Sequence, residues 1–187
     1  MKKIIILLVL LVLLSGCAIP GHPPATQVRA TPQSPALWKV RMYRWGDVVF
    51  SGLLLTRMET EDAISYVLLD GTGIKLLQAR VTLGGEQVVS SVLPPLRNKR
   101  LPGFMASALN DIFLLEPDGE ACGRNGLVWL CREHKDEQVW KKAGAGPITF
   151  WSAQYAPAKE NGGQEISFSM PWVGVRMVLL SDPANSQ

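Results

Sequence analysis

A run of short β-prone segments, from Trp38 almost to the last residue, sets the strongest limit on the fold. Apolar and polar residues alternate within these segments, and turns rich in glycine or charge separate them. The pattern is typical of an antiparallel sheet with one face on a core and the other in water. It predicts strands at Trp38–Tyr43, Val48–Met58, Ala63–Leu69, Ile74–Leu83, Val88–Leu93, Gly126–Glu133, Gln138–Lys142, Ile148–Tyr155, Gln164–Met170 and Trp172–Leu180.

One segment, Leu101–Leu115, carries its apolar residues at helical spacing instead, and Pro102 suits the first turn of a helix. Strands, then one helix, then more strands favour an α+β fold. We therefore predict a single curved antiparallel sheet, an unclosed β-barrel, with the helix packed in its concave face. Residues 37–187 would form this one globular, β-rich domain.

The amino-terminal segment reads as an export signal. Lys2 and Lys3 precede an apolar run from Ile4 to Leu14, which is about half the roughly 20 residues that a membrane-spanning helix needs. Residues 1–16 are thus predicted to be a signal peptide. The sequence Leu14-Ser15-Gly16-Cys17 resembles the lipobox of bacterial lipoproteins, which implies cleavage before Cys17 and lipid attachment to its thiol.

Residues 17–36 form the predicted link between lipid and domain. Five prolines among small and polar residues predict an extended tether without a core of its own. At about 3.1 Å per residue it would span roughly 50 Å. Ala18 follows the cysteine where enterobacterial lipoproteins of the inner membrane carry aspartate, so we expect anchoring at the periplasmic face of the outer membrane.

Charge argues against nucleic acid as a partner. The net charge of +3 includes Lys2 and Lys3 of the leader, so the mature chain carries +1 and lacks an excess of basic residues. The expected partners are the membrane, through the lipid, and acyl lipid or lipoprotein cargo. The sequence does not define the oligomeric state.

Two cysteines remain after lipidation, Cys122 and Cys131. In an oxidising compartment they are expected to form a disulfide, worth roughly 2.5 kcal/mol in the chain-entropy model. Metal binding is the weaker interpretation, because neither a second cysteine pair nor well-spaced histidines accompany them.

The sequence shows no catalytic or cofactor motif. It lacks a nucleophile elbow, a metal-binding histidine pair and a phosphate loop, and we predict no cofactor and no enzyme activity. His134 could act as a general base, but its charged neighbours are those of a solvated hairpin tip. A pair of catalytic carboxylates brought together by folding stays open as an alternative.

A basic cluster precedes the helix. Arg97, Lys99 and Arg100 lie where positive charge opposes the helix dipole, by about 0.3 to 1 kcal/mol per residue. They are candidates for contact with anionic lipid headgroups. The alternative is an ordinary solvated loop.

The segment Val48–Met58 is apolar on both faces, so it would be buried between layers or line a cavity. Methionine side chains could supply an adaptable lining for an acyl chain. Ordinary core is the alternative, since methionine is commonly buried. The candidates for the lining are Met42, Phe50, Leu54, Met58, Phe104 and Met105.

Three motifs in order carry a wider resemblance: Phe50-Ser51-Gly52-Leu53-Leu54, the hairpin Leu68–Leu77, and Leu93-Pro94-Pro95 before the helix. With the lipobox and tether, they resemble an uncharacterised family of bacterial outer-membrane lipoproteins associated with aryl-polyene lipid gene clusters. That family is itself similar to the lipoprotein-localisation (Lol) receptor. The resemblance covers residues 38–115 and implies an unclosed β-barrel with a helical lid over an apolar cavity. The segment between the two later cysteines has no counterpart in the Lol receptor.

Two functions follow as hypotheses. The first is handling or binding of acyl lipids or lipidated cargo in the periplasm, with cargo methylenes leaving water for the concave face. The second is a structural or assembly lipoprotein that docks on another envelope protein. An open apolar pocket would favour the first and a filled core the second.

Overall fold

The structure is a computed structural model that describes residues 35–97, 100–119, 121–158 and 163–181. Eleven strands form one antiparallel sheet that stays unclosed, with one short helix, as the sequence predicts. The strands are β1 (Ala36–Arg44), β2 (Asp47–Thr60), β3 (Ala63–Asp70), β4 (Lys75–Thr82), β5 (Gln87–Val92), β6 (Cys122–Asn125), β7 (Val128–Lys135), β8 (Gln138–Ala145), β9 (Ile148–Pro157), β10 (Gln164–Met170) and β11 (Val175–Ser181).

The sheet consists of two meanders joined at their first and last strands. From the middle of the sheet, β1 to β5 run outward in chain order, and β11 to β6 run outward on the other side. β1 pairs with β11 from Trp38 opposite Ser181 to Arg44 opposite Val175. The first and last described strands therefore lie together at the centre, and β5 and β6 form the free edges.

The helix between β5 and β6 is α1 (Leu101–Leu109), which continues as a π-helical turn over Asn110–Leu114. Pro102 lies in its first turn, as predicted. Met105, Leu109 and Ile112 are fully buried among the inward side chains of the sheet. The amphipathic pattern thus predicts both the extent of the helix and the face that it buries.

Contacts of the helical segment require the sheet to curl. The hydroxyl of Tyr155 in β9 donates to the carbonyl oxygen of Ile112, and the amide of Gly84, just after β4, donates to the side chain of Asn110. β4 and β9 are six strand spacings apart in the sheet order. In a flat sheet that would be roughly 29 Å, at about 4.8 Å per spacing. One helix reaches both strands only if it lies inside the curve.

The inner face carries the core. Alternate residues of each strand point inward, so a single set of apolar side chains from both meanders surrounds the helix. Three tilted aromatic contacts bridge this interior, between Trp38 and Phe113, Phe104 and Phe168, and Trp151 and Phe168, with ring centroids 5.9 to 6.5 Å apart.

The turns divide between the two ends of the strands. One end, called here the hairpin end, carries the turns at 45–46, 71–74, 126–127, 146–147 and 171–174, and the loop before α1. The other, called the opposite end, carries the turns at 61–62, 83–86 and 136–137 and the segment after the helix. β1 begins at the opposite end.

Three predictions of local structure are wrong. No strand was predicted at 122–125, and β6 pairs there with β7 through Cys122 opposite Cys131. Trp172 lies in a 3₁₀ turn that breaks the predicted last strand, because Pro171 cannot continue the ladder and Gly174 has φ +63°. The outer face of β2 is not buried, since a single sheet has no second layer to cover Val49 and Leu55.

Candidate functional site

A set of half-buried apolar residues marks the hairpin end of the inner face. They come from the ends of four strands and from the first turns of α1, and all pack against the buried core. Because they are partly exposed, they separate the core from water at this end. These mouth residues are Phe50, Val92, Leu101, Phe104, Leu130 and Met170.

The helical segment is held firmly at its carboxyl end. The ammonium group of Lys141 in β8 donates to the carbonyl oxygens of Ile112 at 3.0 Å and Leu115 at 2.7 Å, and to the carboxylate of Glu116 at 3.0 Å. Lys141 is 2% exposed. A cation at a helix carboxyl terminus also interacts favourably with the helix dipole.

The amino end of α1 has weaker attachments. Arg100 is its N-cap residue and provides no side-chain hydrogen bond, and no acidic residue lies in the first turn. The interactions described for this end are apolar: Leu101 and Phe104 pack against the core, and the ring of Phe104 contacts that of Phe168. The helix is therefore pinned at the opposite end of the sheet and loosely covered at the hairpin end.

Burial shifts the pKa values of the groups around the carboxyl end of the helical segment. Desolvation raises the pKa of Asp111 to about 6, against hydrogen bonding from Asn110 and the attraction of Lys141. Desolvation also lowers the pKa of Lys141, partly offset by Glu116. Burial raises the pKa of Tyr155, so its hydroxyl stays protonated and donates to the helix.

Tryptophan side chains and backbone link the hairpins of the hairpin end. The amide of Trp45 donates to the carbonyl oxygen of Gly174 at 2.7 Å, and its ring covers that glycine so closely that a Cβ there would lie 2.3 Å from ring carbons. The indole of Trp172 donates to Thr149, and that of Trp129 to Gly146. Four neighbouring hairpins are thus joined into one rim.

Trp45 occupies an unusual backbone conformation. Its φ is +53° and that of Gly46 is +97°, the left-handed pair of a two-residue hairpin turn. Glycine, asparagine and aspartate normally fill such positions, and a bulky residue there costs of order 1 kcal/mol or more. A strained tryptophan that is 71% exposed points to a role outside the core.

The predicted lining residues divide between core and mouth. Met42, Leu54 and Met105 are buried, and Met58 is half-buried towards the opposite end. Phe50 and Phe104 belong to the mouth. Beyond these, two open grooves lie on the outer face, of about 510 Å³ across β2 to β5 and about 300 Å³ across β1, β2 and β11.

Among the other predicted residues, Arg97 and Arg100 are exposed at the hairpin end. Cys122 and Cys131 form the predicted disulfide, which ties the edge strand β6 to β7. Cys17, Lys99 and the tether up to residue 34 lie outside the described residues, and the last predicted tether residue, Ala36, is the first residue of β1. His134 is exposed in β7. Where the chain is described, no three potential ligands gather to hold a metal ion.

Sequence reasoning missed the pinned end of the helix and the tryptophan rim. Lys141 shares a strand face with Val139 and Ala143, which was a usable signal for its inward direction. No comparable signal marked Trp45, because the spatial grouping of turns depends on strand order.

A family model for the prokaryotic membrane lipoprotein lipid attachment site matches residues 1–18. The match supports a membrane-anchored lipoprotein. The only cysteine in the matched segment is Cys17. No similar sequence is found among curated proteins. No helix in the described part of the chain is long and apolar enough to cross a membrane.

Proposed function

We propose that this lipoprotein handles acyl lipids or lipidated cargo, without enzyme activity, at the periplasmic face of the outer membrane. The observation that carries the proposal is the row of mouth residues beside a helix that is hydrogen-bonded to the sheet at its carboxyl end and held by apolar contacts at its amino end. An acyl chain that enters the mouth would remove apolar surface of the chain and of the mouth residues from water. The free energy gained is about 25 cal/mol for each Å² of apolar surface buried.

The uneven attachment of α1 supplies the mechanism. Bonds from Lys141 and Tyr155 fix its carboxyl end, while its amino end rests on Leu101 and Phe104. Cargo would displace these two side chains and lift the first turns, with the pinned end as the hinge. We also propose a relationship to the Lol receptor, which is supported by the unclosed, curved sheet and its apolar inner face.

Uptake of a fluorescent fatty acid by the chain from residue 18 onward, exported without its lipid, tests the proposal. Phe104→Glu places a charge at the mouth and should lower affinity at least tenfold, since it opposes burial of the acyl chain. Ser107→Glu is the matched control on the exposed side of the same helix. Equal uptake by the two variants, or no acyl lipid seen by native mass spectrometry, would count against lipid handling.

Docking on another envelope protein is the second candidate, and the free edge of β5 favours it. Val88 and Val89 are exposed there, next to the larger outer groove. An unpaired edge can accept a strand from a partner. Cross-linking from β5 to one envelope protein, in protein that carries no lipid, would support this alternative.

A further inference from the structure

Exposed apolar residues concentrate at the hairpin end. Of the fifteen large apolar side chains exposed in the described residues, ten lie in its turns or within three residues of them. Leu127 is 84% exposed, and Trp172 is 67% exposed. The ten are Trp45, Val48, Val49, Ile74, Leu127, Val128, Ile148, Phe150, Trp172 and Val173.

Charge is divided between the two ends. In and within two residues of the described turns and loops, the hairpin end has six basic and two acidic residues, and the opposite end has one basic and eight acidic residues. The basic residues of the hairpin end are Arg44, Lys75, Arg97, Arg100, Arg124 and Arg176.

We propose that the hairpin end is a membrane-contacting surface that docks on an anionic phospholipid bilayer. Tryptophan, leucine and valine side chains at the tips would enter the headgroup region, and the arginines would meet lipid phosphates. The acidic opposite end would face away from the anionic surface. This goes beyond the proposed function, because it holds whether or not the interior takes an acyl chain.

Three observations favour a bilayer over a protein as the occupant. Apolar tips mixed with arginine and tryptophan are typical of surfaces that lie in the membrane interface. The charge of this end complements anionic lipid, at about 1 kcal/mol per basic residue near the surface. The lipid anchor also keeps the domain beside a bilayer, which raises the effective concentration of that surface over any soluble partner.

The tether is long enough for this orientation. β1 begins at the opposite end, so the chain between Cys17 and Ala36 must reach past the sheet for the hairpin end to face the anchoring membrane. β1 is 9 residues long, or about 30 Å. At about 3.1 Å per residue, the intervening chain can extend at least roughly 50 Å, which exceeds the length of the strand.

The rim is preorganised for contact. The bonds from Trp45 to Gly174, from Trp172 to Thr149 and from Trp129 to Gly146 fix four hairpin tips against one another. A fixed set of tips loses little conformational entropy on docking.

Tryptophan quenching by brominated phospholipid tests the proposal in the mature, lipidated chain. The protein is reconstituted in vesicles of phosphatidylethanolamine and phosphatidylglycerol, part of it brominated on the acyl chains. We expect quenching in the native protein. Removing one buried leucine-sized contact should lower the docking equilibrium at least about tenfold. The double variant Leu127→Glu/Val173→Glu should therefore lose most of the quenching.

Val88→Glu is the matched control, a similarly exposed valine on β5 away from the hairpin end. It should keep the native quenching. A measurement on the unaltered chain needs no variant: high salt, or phosphatidylcholine in place of phosphatidylglycerol, should reduce quenching because the arginines lose their anionic partners.

Absence of quenching in the native chain would overturn the proposal, and cross-links from the hairpin end to an envelope protein would then identify a protein dock. Equal quenching in the double variant and the control would overturn it as well. Fatty-acid uptake is a separate readout, so failure of bilayer docking leaves the lipid-handling proposal untouched, and the reverse also holds.

Discussion

Replacement of Asp111 by asparagine should stabilise the protein at neutral pH. The carboxyl group lies 7% exposed at the π-helical turn, where its side chain accepts a hydrogen bond from Asn110. Asparagine has nearly the same shape and can still accept that bond through its amide oxygen. The substitution thus removes a buried negative charge and keeps the contact.

The size of the effect follows from the pKa. Burial raises the folded-state pKa from 3.8 to about 6. The folded protein therefore holds the proton more tightly than the unfolded chain, so folding free energy is lost as the pH rises from about 3.8 to about 6 and the loss stays constant above that range. With about 1.4 kcal/mol for each change of one in pKa, the penalty at pH 7.5 is about 3 kcal/mol, and it falls below about 1 kcal/mol at pH 4. Asp111→Asn should raise the Tm at pH 7.5 by roughly 6 to 12 °C.

Urea unfolding followed by tryptophan fluorescence at pH 4 and pH 7.5 measures this penalty. The difference in unfolding free energy between Asp111→Asn and native protein should be large at pH 7.5 and small at pH 4. Asp118→Asn, at an exposed acid after the same helix, should show no such difference. If Asp111→Asn proves destabilising at pH 7.5, the carboxylate must be favoured by Lys141 more than burial disfavours it, and the reasoning fails.

Three further perturbations test the fold by urea unfolding. Lys141→Met should lower the free energy of unfolding by about 2 to 4 kcal/mol, because buried carbonyl oxygens at the helix end lose their donor. Lys142→Met, on the outer face, is the control and should lower it by less than about 1 kcal/mol. Gly52→Ala should lower the free energy of unfolding by about 1 to 3 kcal/mol, since a Cβ there would lie 2.2 Å from a carbonyl oxygen of β3. Gly71→Ala is the control, because a Cβ at Gly71 would meet no atom closer than 3.9 Å. Reduction of the disulfide between β6 and β7 should cost roughly 2.5 kcal/mol, and an unchanged midpoint would show that the edge strand does not need it.

Much of the secondary structure follows from local pattern. Gln164–Met170 is a strand with the predicted bounds, and nine other predicted strands overlap observed ones. Period-two alternation in these segments reflects one buried and one wet face, which needs no knowledge of partners. The short strand β6 was not predicted, because its four residues include a glycine and two charged or polar side chains and show no alternation of apolar and polar residues.

The site was less accessible to such reasoning. Arg97 and Arg100 could be singled out by their unfavourable place before a helix, and Phe50 and Phe104 by their strand and helix faces. Their grouping with Trp45 depends on which turns share an end, and that depends on the pairing of β1 with β11 across the chain. A pattern in sequence records the direction of a side chain and not its distant neighbours.

The central position of β1 and β11 bears on how the chain folds. Arg44 and Val175 are 131 residues apart and are still the least separated pair of the β1–β11 ladder, so pairing these strands closes a long loop of chain. Such non-local pairing slows folding. A circular permutant that joins these strands by a short linker, and opens the chain between β5 and α1, would run from one sheet edge to the other with every strand beside its predecessor. It should fold faster than the natural connectivity while keeping the same side-chain contacts.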